Sequence, residues 1–208
     1  MNNPRVLTLG DKVPRRGQSL RRFIGLFLMW LIGWRMRGEF PNVPKGMFVI
    51  APHTSNFDGL ISVAVIMAMR LELSFFVKDS AFVWPFGGVM RWFGAVPVNR
   101  ENSKDMVGHM VSQYQQKPAL MIAIAPEGTR NSSPEWKTGF YWAAYQAGVP
   151  IIMASFDYAA KELALLGSFT PTGDVERDLP LIIEHFRGIT PRHPDRLSAP
   201  LKALNKTD

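Results

Sequence analysis

Four short apolar runs stand out between polar stretches of the chain: Met47–Ala51, Leu73–Val77, Ala119–Ala125 and Pro150–Phe156. None alternates strictly between apolar and polar positions, which is the pattern of strands buried on both faces. A weaker fifth run, Ala95–Val98, is short and carries Pro97, which has no N–H to give to a ladder, so it belongs near a sheet edge. Helical patterning fills the gaps, over about 56–70, 85–93, 102–116 and 138–147, with a later helix near 174–187. Strand, helix and strand in succession predict an α/β fold, a largely parallel sheet covered by helices, because parallel neighbours must be joined by crossovers. The stretch Gly59–Arg70 is apolar almost all round, which places it at the centre of the fold or against lipid.

A further apolar run differs in kind. Phe23 to Trp34 is twelve residues without a charge, inside a helix expected over about 19–34, and Arg21, Arg22, Arg35 and Arg37 bracket it. Spanning a bilayer takes about 20 apolar residues, whereas a shorter, Trp-bearing helix flanked by arginines can lie in the headgroup zone with its cations on anionic lipid. The run ends in Trp34-Arg35-Met36-Arg37 with no small-residue cleavage site after it, so it does not read as a signal peptide. A core helix with a solvated basic end is the competing reading. The charge distribution bears on this choice. Lys and Arg number 24 against 17 Asp and Glu; the first 45 residues hold nine of the bases against Asp11 and Glu39, and the remaining 163 residues balance at 15 to 15. The whole excess is therefore N-terminal, and an arm for nucleic acid would not need an uninterrupted apolar run, so no nucleic-acid partner is expected. The expected organisation is a flexible basic lead-in at 1–18, an interfacial membrane helix at 19–37, an α/β domain at 38–190 and a polar tail at 191–208.

Composition adds exclusions. A chain of 208 residues with 47% hydrophobic and 20% charged side chains can bury a real core. It has no cysteine, which removes thiol nucleophiles, disulfides and cysteine-ligated metals. Its histidines, His53, His109, His185 and His193, show no metal-ligand spacing, so neither a metal nor a cofactor is expected.

In parallel sheets, ligands bind beyond the carboxyl ends of the strands. His53 follows the first strand, Lys78 the second, Arg100 the edge strand, and Glu127 and Arg130 the strand ending at Ala125. These groups should converge on one edge. With His53 at a strand end and Asp58 in the first turn of the next helix, the carboxylate can fold back on the imidazole, fix its tautomer and leave the other nitrogen as a base. Ser55 and Asp58 also fit a helix capping box, which would explain the acid without chemistry. Three cations beside a histidine suit a phosphorylated substrate, since Arg offers phosphate a planar fork and Lys a point charge. Phe82, Trp84, Phe86, Trp92 and Phe93 either line a groove for an apolar chain, dip into lipid or fill the core.

The motifs H-x-x-x-x-D (His53 to Asp58), G-x-x-x-x-N-R (Gly94 to Arg100), P-E-G-T-R (Pro126 to Arg130) and V-P-I (Val149 to Ile151), in that order, resemble those of the lysophosphatidic acid acyltransferase family of glycerolipid acyltransferases. Lys137-Thr-Gly139 is similar to the family's K-x-G segment, and the likeness runs from about residue 20 to 157. The resemblance implies a catalytic dyad of His53 and Asp58. It implies that Arg100, Glu127, Gly128, Thr129 and Arg130 bind and position a glycerol phosphate, with Lys78 added as a further cation by its place at a strand end. It implies an α/β domain with an N-terminal helical membrane motif. The expected activity is transfer of a fatty acyl group from acyl-CoA or acyl carrier protein to the free hydroxyl of a lysophospholipid, foremost 1-acyl-sn-glycerol-3-phosphate, giving phosphatidic acid at the cytoplasmic face of the inner (plasma) membrane. The alternatives are another lyso-lipid acceptor, a hydrolase in which His53 activates water, and a non-catalytic module that binds an anionic membrane surface.

Overall fold

The computed structural model describes residues 5–78, 87–88, 91, 93–98 and 106–205. In chain order the elements are α1 (Ser19–Ile32), β1 (Arg35–Arg37), β2 (Lys45–Ile50), α2 (Phe57–Met69), β3 (Leu73–Lys78), β4 (Ala95–Val98), α3 (Met106–Gln116), β5 (Leu120–Ile124), α4 (Gly139–Ala147), β6 (Ile151–Asp157), β7 (Glu162–Phe169), α5 (Val175–Glu184), a 3-10 turn (Pro194–Arg196) and α6 (Ala199–Leu204). The strands form one sheet in the order β1-β7-β6-β2-β5-β3-β4. Strands β2 to β6 are mutually parallel, with the Pro-bearing β4 at one edge as the sequence predicts. The helix predicted at 85–93 lies largely outside the described residues, as do residues 102–105 of the next one.

The sheet separates two cores. Successive residues of β2 point to opposite faces, so Phe48 joins Ile61, Ala64, Val65 and Ala68 of α2 and Met29 of α1, whereas Met47 and Val49 join Met110, Phe140, Tyr141 and Ile182 from α3, α4 and α5. Burial on both faces is what removed alternation from the sequence.

Two strands were not predicted. β7 opens with Glu162-Leu-Ala-Leu-Leu, good helix formers, yet it folds back antiparallel on β6 with a register shift between Met153 and Ala154. The turn overrides local preference: Asp157 Oδ1 accepts the N–H groups of Ala159 at 3.1 Å and Ala160 at 3.4 Å, and Lys161 adopts a left-handed φ of 53°. β1 then pairs parallel with β7. The sequence places Arg35–Arg37 at the end of the membrane helix; instead Gly33, at φ 74°, caps α1 after Ile32, and the next residues turn into this edge strand. Arg35 and Arg37 each put Nε 2.8 Å from a Glu162 carboxylate oxygen. Both guanidiniums are mostly exposed, so each pair stabilises by about 1 kcal/mol at most, and burial of Trp34 and Met36 does more to hold the edge.

α1 crosses α2 at Gly25, where an added Cβ would sit 2.2 Å from the backbone nitrogen of Ala68. Only glycine allows that approach. The opposite face of α1 carries Leu20, Phe23, Phe27, Trp30 and Leu31, each at least half exposed. The N-terminal segment, expected to be flexible, is packed where described: Leu9 and Val13 are buried and Arg15 bridges to Leu71. The polar tail likewise contains buried Leu197, Ser198 and Leu201. Isolated apolar residues in polar stretches anchor both segments, a signal too sparse for periodicity to detect. No described helix is long and apolar enough to cross a membrane.

Candidate active site

Because β2, β3, β4 and β5 run parallel, the segments after them open onto the same edge of the sheet, as strand order in the sequence requires. Lys78 ends β3 on this edge, although its side chain is outside the described residues, and Arg100, Phe82, Trp84, Phe86 and Trp92 lie outside them entirely. Phe93 is half-buried, with the Arg21 guanidinium 5.6 Å from its ring centre.

His53 and Asp58 meet. After the cis Ala51–Pro52 bond the chain turns into α2, and His53 Nδ1 lies 3.0 Å from Asp58 Oδ2. Asp58 is fully buried, and the same oxygen accepts the N–H groups of Thr54 at 3.1 Å and Ser55 at 3.0 Å. Ser55 Oγ in turn accepts the N–H of Phe57 at 3.1 Å. Half of the expected capping box is therefore present, since the carboxylate that folds back on the Ser55 N–H is also the one facing the imidazole, while Asn56, the residue before α2, makes no side-chain cap bond. The other oxygen, Oδ1, accepts the phenolic O–H of Tyr158.

The second loop brings a cation to the far side of the ring. Gly128 takes a left-handed φ of 67° under the Lys137 side chain, and the chain then carries exposed Thr129 and Arg130 outward, with Thr129 Oγ1 accepting the N–H of Asn131 at 3.2 Å. Arg130 Nε donates to His53 Nε2 at 3.3 Å. A guanidinium has no acceptor, so Nε2 must present a lone pair and the proton is assigned to Nδ1, toward Asp58. The ring is thus held in the tautomer a general base requires.

Glu127 faces inward rather than toward solvent. Its Oε2 accepts the backbone N–H of His53 at 2.7 Å, which ties the two motif loops together. Burial pushes its carboxyl above the ordinary value of 4.5, against the opposing pull of the His53 N–H. A carboxyl raised in the folded state contributes stability that is fully present below its unfolded value and is lost as pH rises through the folded one. In Glu127→Gln that titration is gone, so the variant's thermal midpoint relative to wild type is expected to improve as pH rises from 4.5 to the folded value of Glu127 and to level off above it. A gap that is constant across a pH series of melting curves would contradict this.

A strap from the C-terminal segment closes over both loops. The His193 N–H reaches Thr54 Oγ1 at 3.3 Å, Arg196 Nη1 reaches the Thr54 carbonyl at 3.3 Å, and the Arg192 guanidinium lies 4.7 Å from the Phe57 ring centre. On the other loop, Trp136 Nε1 donates to Ser198 Oγ at 3.1 Å and Ala199 N–H to the Ser133 carbonyl at 2.8 Å. Sequence reasoning missed Tyr158 and the strap. Tyr158 directly follows β6 and so obeys the strand-end rule that picked out the other groups; the strap has no comparable signal.

Fold and site together define an α/β protein whose sheet edge presents a carboxylate-oriented histidine beside an arginine, a constellation for proton abstraction next to an anionic group. The Acyltransferase family profile matches residues 35–156, more than half of the chain, and the chain belongs to that family. It is 29% identical to the 1-acyl-sn-glycerol-3-phosphate acyltransferase of Haemophilus influenzae over 146 residues, covering 62% of this chain and 59% of the relative. It is 31% identical to the Escherichia coli protein of the same name over 109 residues, covering 50% of this chain and 43% of the relative. The chain therefore spans about half the length of these curated relatives. The crystal structure of the 1-acyl-sn-glycerophosphate (LPA) acyltransferase PlsC from Thermotoga maritima superposes with a TM-score of 0.54 at 18% identity, covering 77% of this chain and 72% of that one, a likeness of fold.

Proposed function

We propose that this protein transfers a fatty acyl group from a thioester, acyl-CoA or acyl carrier protein, to the free hydroxyl of 1-acyl-sn-glycerol-3-phosphate, giving phosphatidic acid. The observation that carries the reading is the imidazole held between Asp58 at Nδ1 and Arg130 at Nε2. A phosphate on the acceptor draws the Arg130 guanidinium to itself, and the acceptor hydroxyl takes its place at Nε2. His53 removes the hydroxyl proton as the oxygen attacks the thioester carbonyl, Asp58 compensates the imidazolium, and collapse of the tetrahedral intermediate expels the thiolate, which recovers the proton from Nε2. The activated donor makes a covalent enzyme intermediate unnecessary. Lys78 and Arg100 complete the phosphate-binding set in this reading, with Gly128 and Thr129 shaping the loop that carries Arg130. The names of the curated relatives support the choice of acceptor. Incubating purified protein and labelled acyl thioester with a panel of lyso-lipids tests it: labelled phosphatidic acid is expected, whereas free fatty acid alone would indicate a hydrolase and acylation of a different lyso-lipid another acceptor.

The same reading holds the protein on the cytoplasmic face of the membrane through α1. Its exposed apolar face is continuous over three turns, which disfavours an ordinary core helix. Near its start, Arg16 and Arg22 supply charge, whereas Arg35 and Arg37 share Glu162 and contribute less than a count of bases suggests. Each unpaired base near an anionic surface is worth about 1 kcal/mol, and apolar burial adds a part that salt does not screen. Binding to anionic vesicles is expected to weaken in high salt without vanishing, and to fall sharply in a Phe23→Ser/Phe27→Ser/Trp30→Ser variant. Equal co-sedimentation of variant and wild type across a salt series would remove α1 from the membrane.

A further inference from the structure

We propose that Tyr158 is a positioning residue for the His53–Asp58 pair, acting through its hydrogen bond to the outer oxygen of the buried carboxylate. It rests on the acyl-transfer reading above only for its kinetic consequence. Tyr158 lies just beyond the stretch that matches the family profile, and none of the sequence motifs includes it.

Asp58 Oδ2 is crowded by the Thr54 and Ser55 N–H groups and by His53 Nδ1, whereas Oδ1 accepts the Tyr158 hydroxyl. The phenol is itself firmly placed. Its backbone N–H donates to the Thr190 carbonyl at 2.9 Å, Trp34 packs edge-on with ring centres 5.0 Å apart, and the Arg192 guanidinium lies 6.0 Å from the ring centre. Packing alone would be served equally by phenylalanine. The hydroxyl adds a donor to a carboxylate that has no water-facing side, and burial together with Asp58 holds the phenol above its ordinary range, so it remains a donor wherever the enzyme works.

The hydroxyl has two effects on the pair. It limits the rotation of the carboxylate, so that Oδ2 stays at the 3.0 Å separation from Nδ1. It also draws negative charge toward Oδ1, which moderates how strongly Asp58 favours the imidazolium. Other groups facing this cluster are Arg130 on Nε2, Glu127 on the His53 N–H, and Arg192, His193 and Arg196 on the strap; a Tyr158→Phe change removes the phenol oxygen that Arg192 also faces and leaves the rest in place.

The test is an NMR titration of the His53 imidazole in the full-length protein, its signal identified by loss in His53→Ala, with Tyr158→Phe compared with wild type. Loss of the hydroxyl is expected to move the midpoint to higher pH by about half a unit, a change of about threefold in proton affinity. With lysophosphatidate as acceptor, kcat should fall while the acceptor KM stays near wild type, and the acid limb of the pH profile should shift in the same direction. A midpoint that is unchanged or lowered in Tyr158→Phe, whatever happens to its melting temperature, overturns the proposal. If wild type makes no phosphatidic acid, the acyl-transfer reading falls, and the titration still decides the role of Tyr158.

Discussion

A His53→Ala protein is expected to fold and to bind anionic vesicles like wild type while transferring acyl groups about a thousandfold more slowly, within the 10²–10⁴ range of general-base catalysis. The side chain is about one-fifth exposed and its ring meets the protein chiefly through Asp58 and Arg130, so removing it opens no core cavity. Its loop is held by backbone contacts the substitution leaves alone: His53 N–H to Glu127 and Thr54 N–H to Asp58. Single-turnover kinetics, circular dichroism and vesicle binding on the same preparation separate loss of chemistry from loss of fold. Near-normal turnover in a folded His53→Ala protein would end the general-base mechanism, and Ser55 would become the nucleophile to examine.

Arg130→Ala should lower kcat/KM for lysophosphatidate by at least about tenfold, the low end for a charge-assisted hydrogen bond to phosphate of about 1.5–3 kcal/mol, while leaving the KM for the thioester unchanged. A second comparison makes this specific. On an acceptor of the same chain length without the phosphate, Arg130 contributes no binding and still occupies the base nitrogen, so the variant should do no worse than wild type. A parallel loss on both acceptors would instead assign Arg130 to the histidine alone.

Much of this was legible before any coordinates. Strands buried on both faces lose alternation, and the runs at 47–51 and 150–156 announced β2 and β6 by that loss. Parallel order then put His53, Lys78, Glu127 and Arg130 at one edge, a consequence of topology alone. The unread parts have a common cause, namely that tertiary contacts outweighed local preference. β7 is a hairpin partner written in helix-forming residues, and the tail holds its place through Leu197, Ser198 and Leu201 amid polar neighbours. The orientation of Glu127 was equally invisible, since its spacing after β5 fits a carboxylate facing substrate as well as one accepting a backbone N–H.

The strap bears on the order in which the pocket is completed. A chain emerging from the ribosome exposes β2 and the His53 loop early, and the β5 strand that pairs with β2 follows some 70 residues later. Yet Asp58 Oδ1 waits for residue 158, Thr54 for residues 193 and 196, and the loop after β5 for Ser198, which accepts the Trp136 indole N–H, and for Ala199, whose N–H reaches the Ser133 carbonyl. During synthesis the sheet can therefore assemble around an unfinished pocket. The pocket is complete only once the segment that follows β7 has been added, so that a chain synthesised as far as β7 holds the His53 loop and lacks the strap's contacts to it.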